Sequence, residues 1–270
     1  MTKSKKDIVK VEPKNPLVCA PKFMLDDQQM GTEEVTRYVI VPRVKVIQKQ
    51  ASAELLSRFN PGDVIISPVN ALVAQTVMRD GVMGEFAFVP LYFFAEYCVW
   101  NPIELKGMEP AIIERTTDVD SPIAAKALHA NLREEPHPTH PQYKVRYVEH
   151  LNYVVQIIDH AEMTGEVAVL SFARGEHRAG RQLAGLVKMR RAPLFGCKFI
   201  ARVSHRPGTG KGDWFGLDVD NHVDPWVDDE DEYARLKALH EEFKRLHEAN
   251  RLRPDLSDEE LTAEVSRDDM

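Results

Sequence analysis

The chain predicts a mainly β fold of the α+β class: a β-barrel core with an inserted helical segment, followed by a C-terminal helical acidic tail. Three observations carry this reading. β-branched and aromatic residues gather in short runs separated by turn chemistry, from "EVTRYVIVPRVKVIQ" onward. One helical segment, "HRAGRQLAGLVKMRR", lies between such runs, and a long helical stripe follows the last of them. The divisions that result are a flexible arm over 1–31, a folded body over 32–226 with an insertion at about 101–143, and the tail over 227–270.

The elements follow in order. Residues 1–31 are rich in Lys, Pro and Gln without periodicity. The run 34–48 is dense in Val and Ile, and Pro42 within it marks a bulge or an edge. "ASAELLSRF" suits a short helix, and "NPGD" is turn chemistry leading into the strand "VIISP". "EFAFVPLYFFAEYCVW" (85–100) reads as one long strand, on which extended geometry places Phe86, Phe88, Tyr92 and Phe94 on one face. In the insertion, "SPIAAKALHANL" is a helix with Ser121 as cap and Pro122 in its first turn. "VRYVEHLNYVVQIID" and "GEVAVLSFA" resume strand character, and "FGCKFIARVSH" and "DWFGLDV" read as paired strands joined around "RPGTGKG". In the tail, Tyr233, Leu236, Leu239, Phe243 and Leu246 mark one helical face. Strands dominate the body, and the helix "HRAGRQLAGLVKMRR" between two of them permits an open or closed barrel of the oligonucleotide-binding type.

Composition narrows the function classes. The hydrophobic share of 43% supports a sizeable core, and no apolar run reaches membrane-spanning length, which predicts a chain without membrane association. Three widely spaced cysteines, Cys19, Cys98 and Cys197, suggest neither a disulfide framework nor a metal-ligand pattern. The net charge of −7 hides a strong segregation. Between Ser171 and Gly212 stand ten basic residues against the single Glu176, whereas 213–270 holds nineteen acidic residues against seven basic ones. A basic block of this kind suits a polyanion.

The candidate binding residues follow from that block. At 100° per residue, Arg178, Arg181 and Lys188 share one helical face, with Arg174 joining them if the helix starts a turn earlier. Such spacing can follow a phosphate backbone. Lys198, Arg202 and Lys211 extend the charge, and Arg43 and Lys45 alternate onto one face of the first strand. Tyr92, Trp214 and Phe215 supply stacking surfaces, which sequence-tolerant binding of single strands requires besides charge.

Catalysis has thinner support. "GTGKG" fails as a phosphate loop, because His205 stands where the first glycine belongs, Gly212 replaces the Ser or Thr after Lys211, and a strand follows in place of a helix. Ser171 lacks a nucleophile elbow, and His137 and His140 have no cysteine partners for zinc. Asp218, Asp220 and His222 alternate on a strand and keep a metal-dependent nuclease open as an alternative. A virion or scaffold protein assembling through its C-terminal helix is the other. The reading is a non-enzyme without cofactor or metal.

The motifs "VPRVKVIQ", "PGDVIIS", "EFAFVPLYFFAEYCVW", "EHLNYVVQI", "VAVLSFARGEHRAGRQLAGLV" and "KGDWFGLDV", in this order over residues 38–220, resemble the single-stranded-DNA-binding proteins of tailed bacteriophages. The most specific pieces are Val89-Pro90-Leu91-Tyr92 and Lys211-Gly212-x-Trp214-Phe215. The resemblance implies an oligonucleotide-binding barrel that coats single-stranded DNA in phage replication and recombination, in the host cytoplasm. It also implies that the acidic C-terminus recruits replication or recombination proteins, and a homo-oligomer is compatible with it. Some relatives carry cysteines in the central insertion, whereas residues 101–150 here have none, so no structural zinc is carried over.

Overall fold

The computed structural model describes residues 40–76, 84–105, 109–129, 134–208 and 213–254. Along the chain they form β1 (Ile40–Val41), β2 (Arg43–Val46), α1 (Ala53–Arg58), β3 (Val64–Ser67), β4 (Ala71–Ala74), β5 (Glu85–Trp100), β6 (Ile112–Thr116), α2 (Pro122–His129), β7 (Glu134–Pro136), β8 (Lys144–Ile158), β9 (Val167–Ala173), α3 (His177–Arg190), β10 (Cys197–Arg206), β11 (Trp214–Trp226), α4 (Glu230–Glu248) and β12 (Arg253–Pro254). The expected arm at 1–31, residues 209–212 of "GTGKG" with Lys211 among them, and the last acidic stretch lie outside the described residues.

Mixed pairing joins the strands in the order β11-β10-β5-β8-β9-β2-β3-β4, with β6 added to β5 and β7 to β8. The sheet curls into a half-barrel. Its β11 and β2 are drawn together by one side chain: Gln48 donates Nε2–H to the Phe215 carbonyl at 2.7 Å and accepts the Phe215 N–H at 3.0 Å. A Lys49–Asp213 ion pair at 3.4 Å lies beside it. Local sequence explains the ends of the short helices. Ser52 and Ser121 accept N–H bonds from Leu55 and Ala124 at the starts of α1 and α2. Pro42, which donates no ladder bond, separates β1 from β2.

Alternation gives the sheet two buried faces. The inner face gathers Phe86, Phe88, Tyr153, Leu170, Phe172, Phe199 and Leu217 beneath the apolar side of α3, contributed by Ala179 and Leu183. The outer face gathers Val89, Leu91, Phe94, Val154 and Val169 against Leu236, Phe243 and Leu246 of α4. Two expectations are corrected here. Phe86, Phe88, Tyr92 and Phe94 do not share one face, because the β5–β8 register shifts between Pro90 and Tyr92 and sends the second pair to the outer side. The C-terminal helix is part of the folded body, since its apolar stripe is buried on the sheet and Tyr92 Oη meets His247 Nδ1 at 3.0 Å. The insertion, in turn, extends the sheet through β6 and β7.

Candidate nucleic-acid interface

α3 is docked closely and its charged side left open. Leu183 and Ala179 are buried, Tyr153 Oη donates to the Gly180 carbonyl at 3.0 Å, and a Cβ at Gly180 would meet Phe172 Cβ at 2.9 Å. On the opposite side Arg178, Arg181 and Lys188 are exposed, and Arg191, ending the helix at φ 53°, is exposed beside them. Among the described residues none of these four takes part in an ion pair.

Arg190 points the other way and fastens the last turn of α3 to the hairpin. Its Nη1 donates to the carbonyls of Pro225 (2.8 Å) and Lys198 (3.2 Å), its Nη2 to Asn221 Oδ1, and its guanidinium lies 4.4 Å from the Phe199 ring centre. The N-terminal end is fastened as well. His177 Nε2 donates to the Glu149 carbonyl at 2.7 Å, and Glu176 accepts the Leu217 N–H at 3.2 Å. Burial pushes the Glu176 carboxyl up to about 7, against the opposing pull of that N–H and of Arg43 and Arg206.

The remaining expected contacts divide sharply. Lys198 is bonded to Asp224 at 2.6 Å, and Arg202 to Glu85 at 2.8 Å and Asp220 at 3.4 Å. Arg43 and Lys45 are half-buried on β2, and both already have partners. Arg174 does not continue the helical stripe. At φ 52° it turns its guanidinium over Trp100, 5.6 Å from the ring centre. Tyr92 lies between His240 and His247 under α4, and burial raises its pKa. Phe215 is 7% exposed in the inner core. Neither offers a free ring face for a base, which corrects the sequence reading: the bulge turns Tyr92 under α4, and alternation turns Phe215 inward. Trp214 is half-buried at the start of β11 and carries Arg206 over its ring at 5.1 Å.

The residues considered for catalysis are tied to separate partners. Asp218 binds Arg206 at 2.7 Å, Asp220 binds Arg202, and His222 meets Asp159 at 3.2 Å, so the three do not converge. Ser171 Oγ lies 3.3 Å from His150 Nδ1, but His150 Nε2 accepts the Trp100 indole N–H at 3.3 Å. The remaining proton is therefore on Nδ1, and the ring donates to Ser171 instead of accepting from it. Desolvation holds His150 well below its usual pKa, in the neutral form. In the insertion, His137 Nδ1 accepts the N–H groups of Thr139 and His140, which leaves Nε2–H to bond Asn101 Oδ1 at 2.7 Å. With Glu109 bonded to His140 at 3.1 Å, this is a closed polar knot.

Sequence reasoning did not find Arg206 over Trp214, nor Trp226, a residue 44% exposed with Arg190 5.4 Å from its ring centre. Both rest on contacts across the β10–β11 hairpin and the helix, which no local motif signals. A family model described as Pam3 phage gp34-like protein matches residues 12–249. No curated protein and no solved structure matches the chain.

Proposed function

Because the chain belongs to the Pam3 phage gp34-like protein family, we propose that it is a non-enzymatic phage protein that coats single-stranded DNA, with little sequence preference, during replication or recombination. One observation carries the proposal: the exposed row Arg178, Arg181, Lys188 and Arg191, free of ion pairs among the described residues, on a helix whose other side is fixed to a curled sheet. A rigid row of unneutralised cations releases counterions when phosphates bind it, which is the main source of sequence-independent affinity.

The connectivity supports the same reading. β5, β8 and β9 pair in succession, α3 follows, and β10 returns to β5 before β11 completes a hairpin. Three strands, a helix and a hairpin wound into a Greek-key barrel are the plan of an oligonucleotide-binding fold. β2 pairs with β9, and Gln48, just after β2, is bonded to Phe215 at the start of β11. In this reading the insertion corresponds to the loop joining the first two barrel strands, one of the loops such folds use around a strand.

The test is a salt titration of a labelled oligonucleotide against the same sequence as duplex. Preference for the single strand is expected, with log K falling against log salt at a slope of roughly −3 if all four cations of α3 meet phosphates. A salt-insensitive signal, or equal affinity for duplex, would overturn the assignment.

A further inference from the structure

Two tryptophans stand at the N-terminal end of α3, joined by consecutive residues. Arg174 covers Trp100, which is 5% exposed and has no face left for a ligand. Gly175 lies against Trp214, where a Cβ would meet the indole at 3.1 Å. At Gly216 an added Cβ would meet the same ring and Arg206 Nε, each at 2.9 Å. The two glycines thus form a backbone floor for Trp214. Above it, Arg206 is held by Asp218 Oδ1 at 2.7 Å, Ser204 Oγ at 3.2 Å and the Leu217 carbonyl at 3.3 Å. The Arg206 side chain is 24% exposed and that of Asp218 59%. This pair is therefore at the surface.

We propose that Trp214 is a base-stacking platform and that Arg206 is its gate. A base of a bound single strand takes the place of the guanidinium on the indole, Arg206 exchanges the Asp218 carboxylate for the adjacent phosphate, and Asp218 is released to water. The inference rests on the proposed function and adds to it a stacking subsite with a built-in competitor. The exchange is favourable because stacking of a base on an indole outweighs an exposed cation–π contact and an exposed ion pair, while Arg206 keeps an anionic partner throughout. Arg202, two turns of the pleat from the gate, faces Glu85 and Asp220 with no ring beneath it among the described residues and serves as the internal control.

The experiment follows intrinsic tryptophan fluorescence of the full chain during titration with an unlabelled oligo(dT), with anisotropy of a labelled strand as the affinity readout. Trp214→Phe, which keeps an aromatic ring on the glycine floor, is expected to lose most of the fluorescence quench and to bind roughly threefold more weakly. Asp218→Asn, which loosens the gate, is expected to bind about threefold more tightly, whereas Asp220→Asn removes the same charge and gains less than about half of that. Both Asp positions are exposed, so folding is not at risk. Equal gains for the two Asn variants, or an undiminished quench in Trp214→Phe, would overturn the gate while wild-type binding stands. Absence of wild-type binding at low salt would overturn the proposed function, and the gate with it.

Discussion

α3 and the β10–β11 hairpin carry similar numbers of cations from the same basic block, yet they hold them in opposite states. On the hairpin, Lys198, Arg202 and Arg206 each lie within 3.4 Å of a carboxylate from the acidic second half of the chain or from Glu85. On the helix, Arg178, Arg181, Lys188 and Arg191 have no such partner among the described residues. The difference teaches that local charge density in a sequence does not measure availability. A phosphate arriving at the hairpin must first displace a carboxylate, whereas at α3 no carboxylate of the described residues stands in its way.

The largest expected effect comes from undoing the support that makes this contrast possible. Leu183 is fully buried beneath α3, so Leu183→Ala is expected to cost about 3 kcal/mol in urea unfolding. Binding should weaken in proportion to the fraction of α3 undocked. If stability falls with affinity unchanged in the folded fraction, the row acts as a local peptide and the rigid-track account fails.

A comparable effect is expected from Glu176, the carboxyl at the joint between the two regions. Its folded pKa, pushed up to about 7, lies above the ordinary value of 4.5. The folded state therefore binds the proton more tightly than the unfolded chain. The contribution favouring folding is fully present below about pH 4.5 and is lost as pH rises to about 7, a swing on the order of 3 kcal/mol. Glu176→Gln keeps the acceptor for Leu217 N–H and mimics the protonated acid. The variant is expected to match wild type near pH 5 and to exceed it in unfolding free energy at pH 8. A pH-independent difference between the two proteins would remove this account.

Next in size, Arg178→Ala with Arg181→Ala is expected to flatten the salt slope by about 1.4 and to weaken single-strand binding about 25-fold at 0.1 M salt. Unfolding should be unaffected, since both side chains are exposed. Retention of the wild-type slope would move the phosphate track away from α3.

How much of this was legible in sequence depended on the range of the interaction. Alternation and turn residues located β5, β8, β9, β10 and β11, and the apolar stripe of α4 was readable because both signals lie within a few residues. The bulge at Leu91 was not, since a register shift depends on what β8 presents opposite. The docking of α4 was invisible for the same reason: a stripe shows that a helix covers something and not what it covers. The cationic side of α3 was readable as a helical spacing. The neutralisation of its neighbours was not, because Arg206 meets a carboxylate 12 residues away, Lys198 one 26 away and Arg202 one 117 away. Tyr92 and Phe215 likewise have the composition of stacking residues, and only the three-dimensional neighbours reveal that their rings are taken.

The smallest expected effect tests the other half of the comparison. Lys198→Ala with Arg202→Ala removes as much formal charge as the double substitution on α3, so a binding model built on net charge alone predicts an equal loss. The paired geometry predicts otherwise. Each deleted cation leaves behind an exposed carboxylate, Asp224, Glu85 or Asp220, whose repulsion acts through solvent and salt at distances where screening is strong. Affinity is expected to fall by less than about threefold at 0.1 M salt, with little change in slope, because no phosphate contact is lost. Stability should shift by less than about 1 kcal/mol, as for exposed ion pairs generally. Measured side by side, unequal losses from the two double variants would assign the phosphate track to the helix. Equal losses would mean that the hairpin pairs open when the strand arrives, and the contrast between the two regions would then belong to the free protein alone.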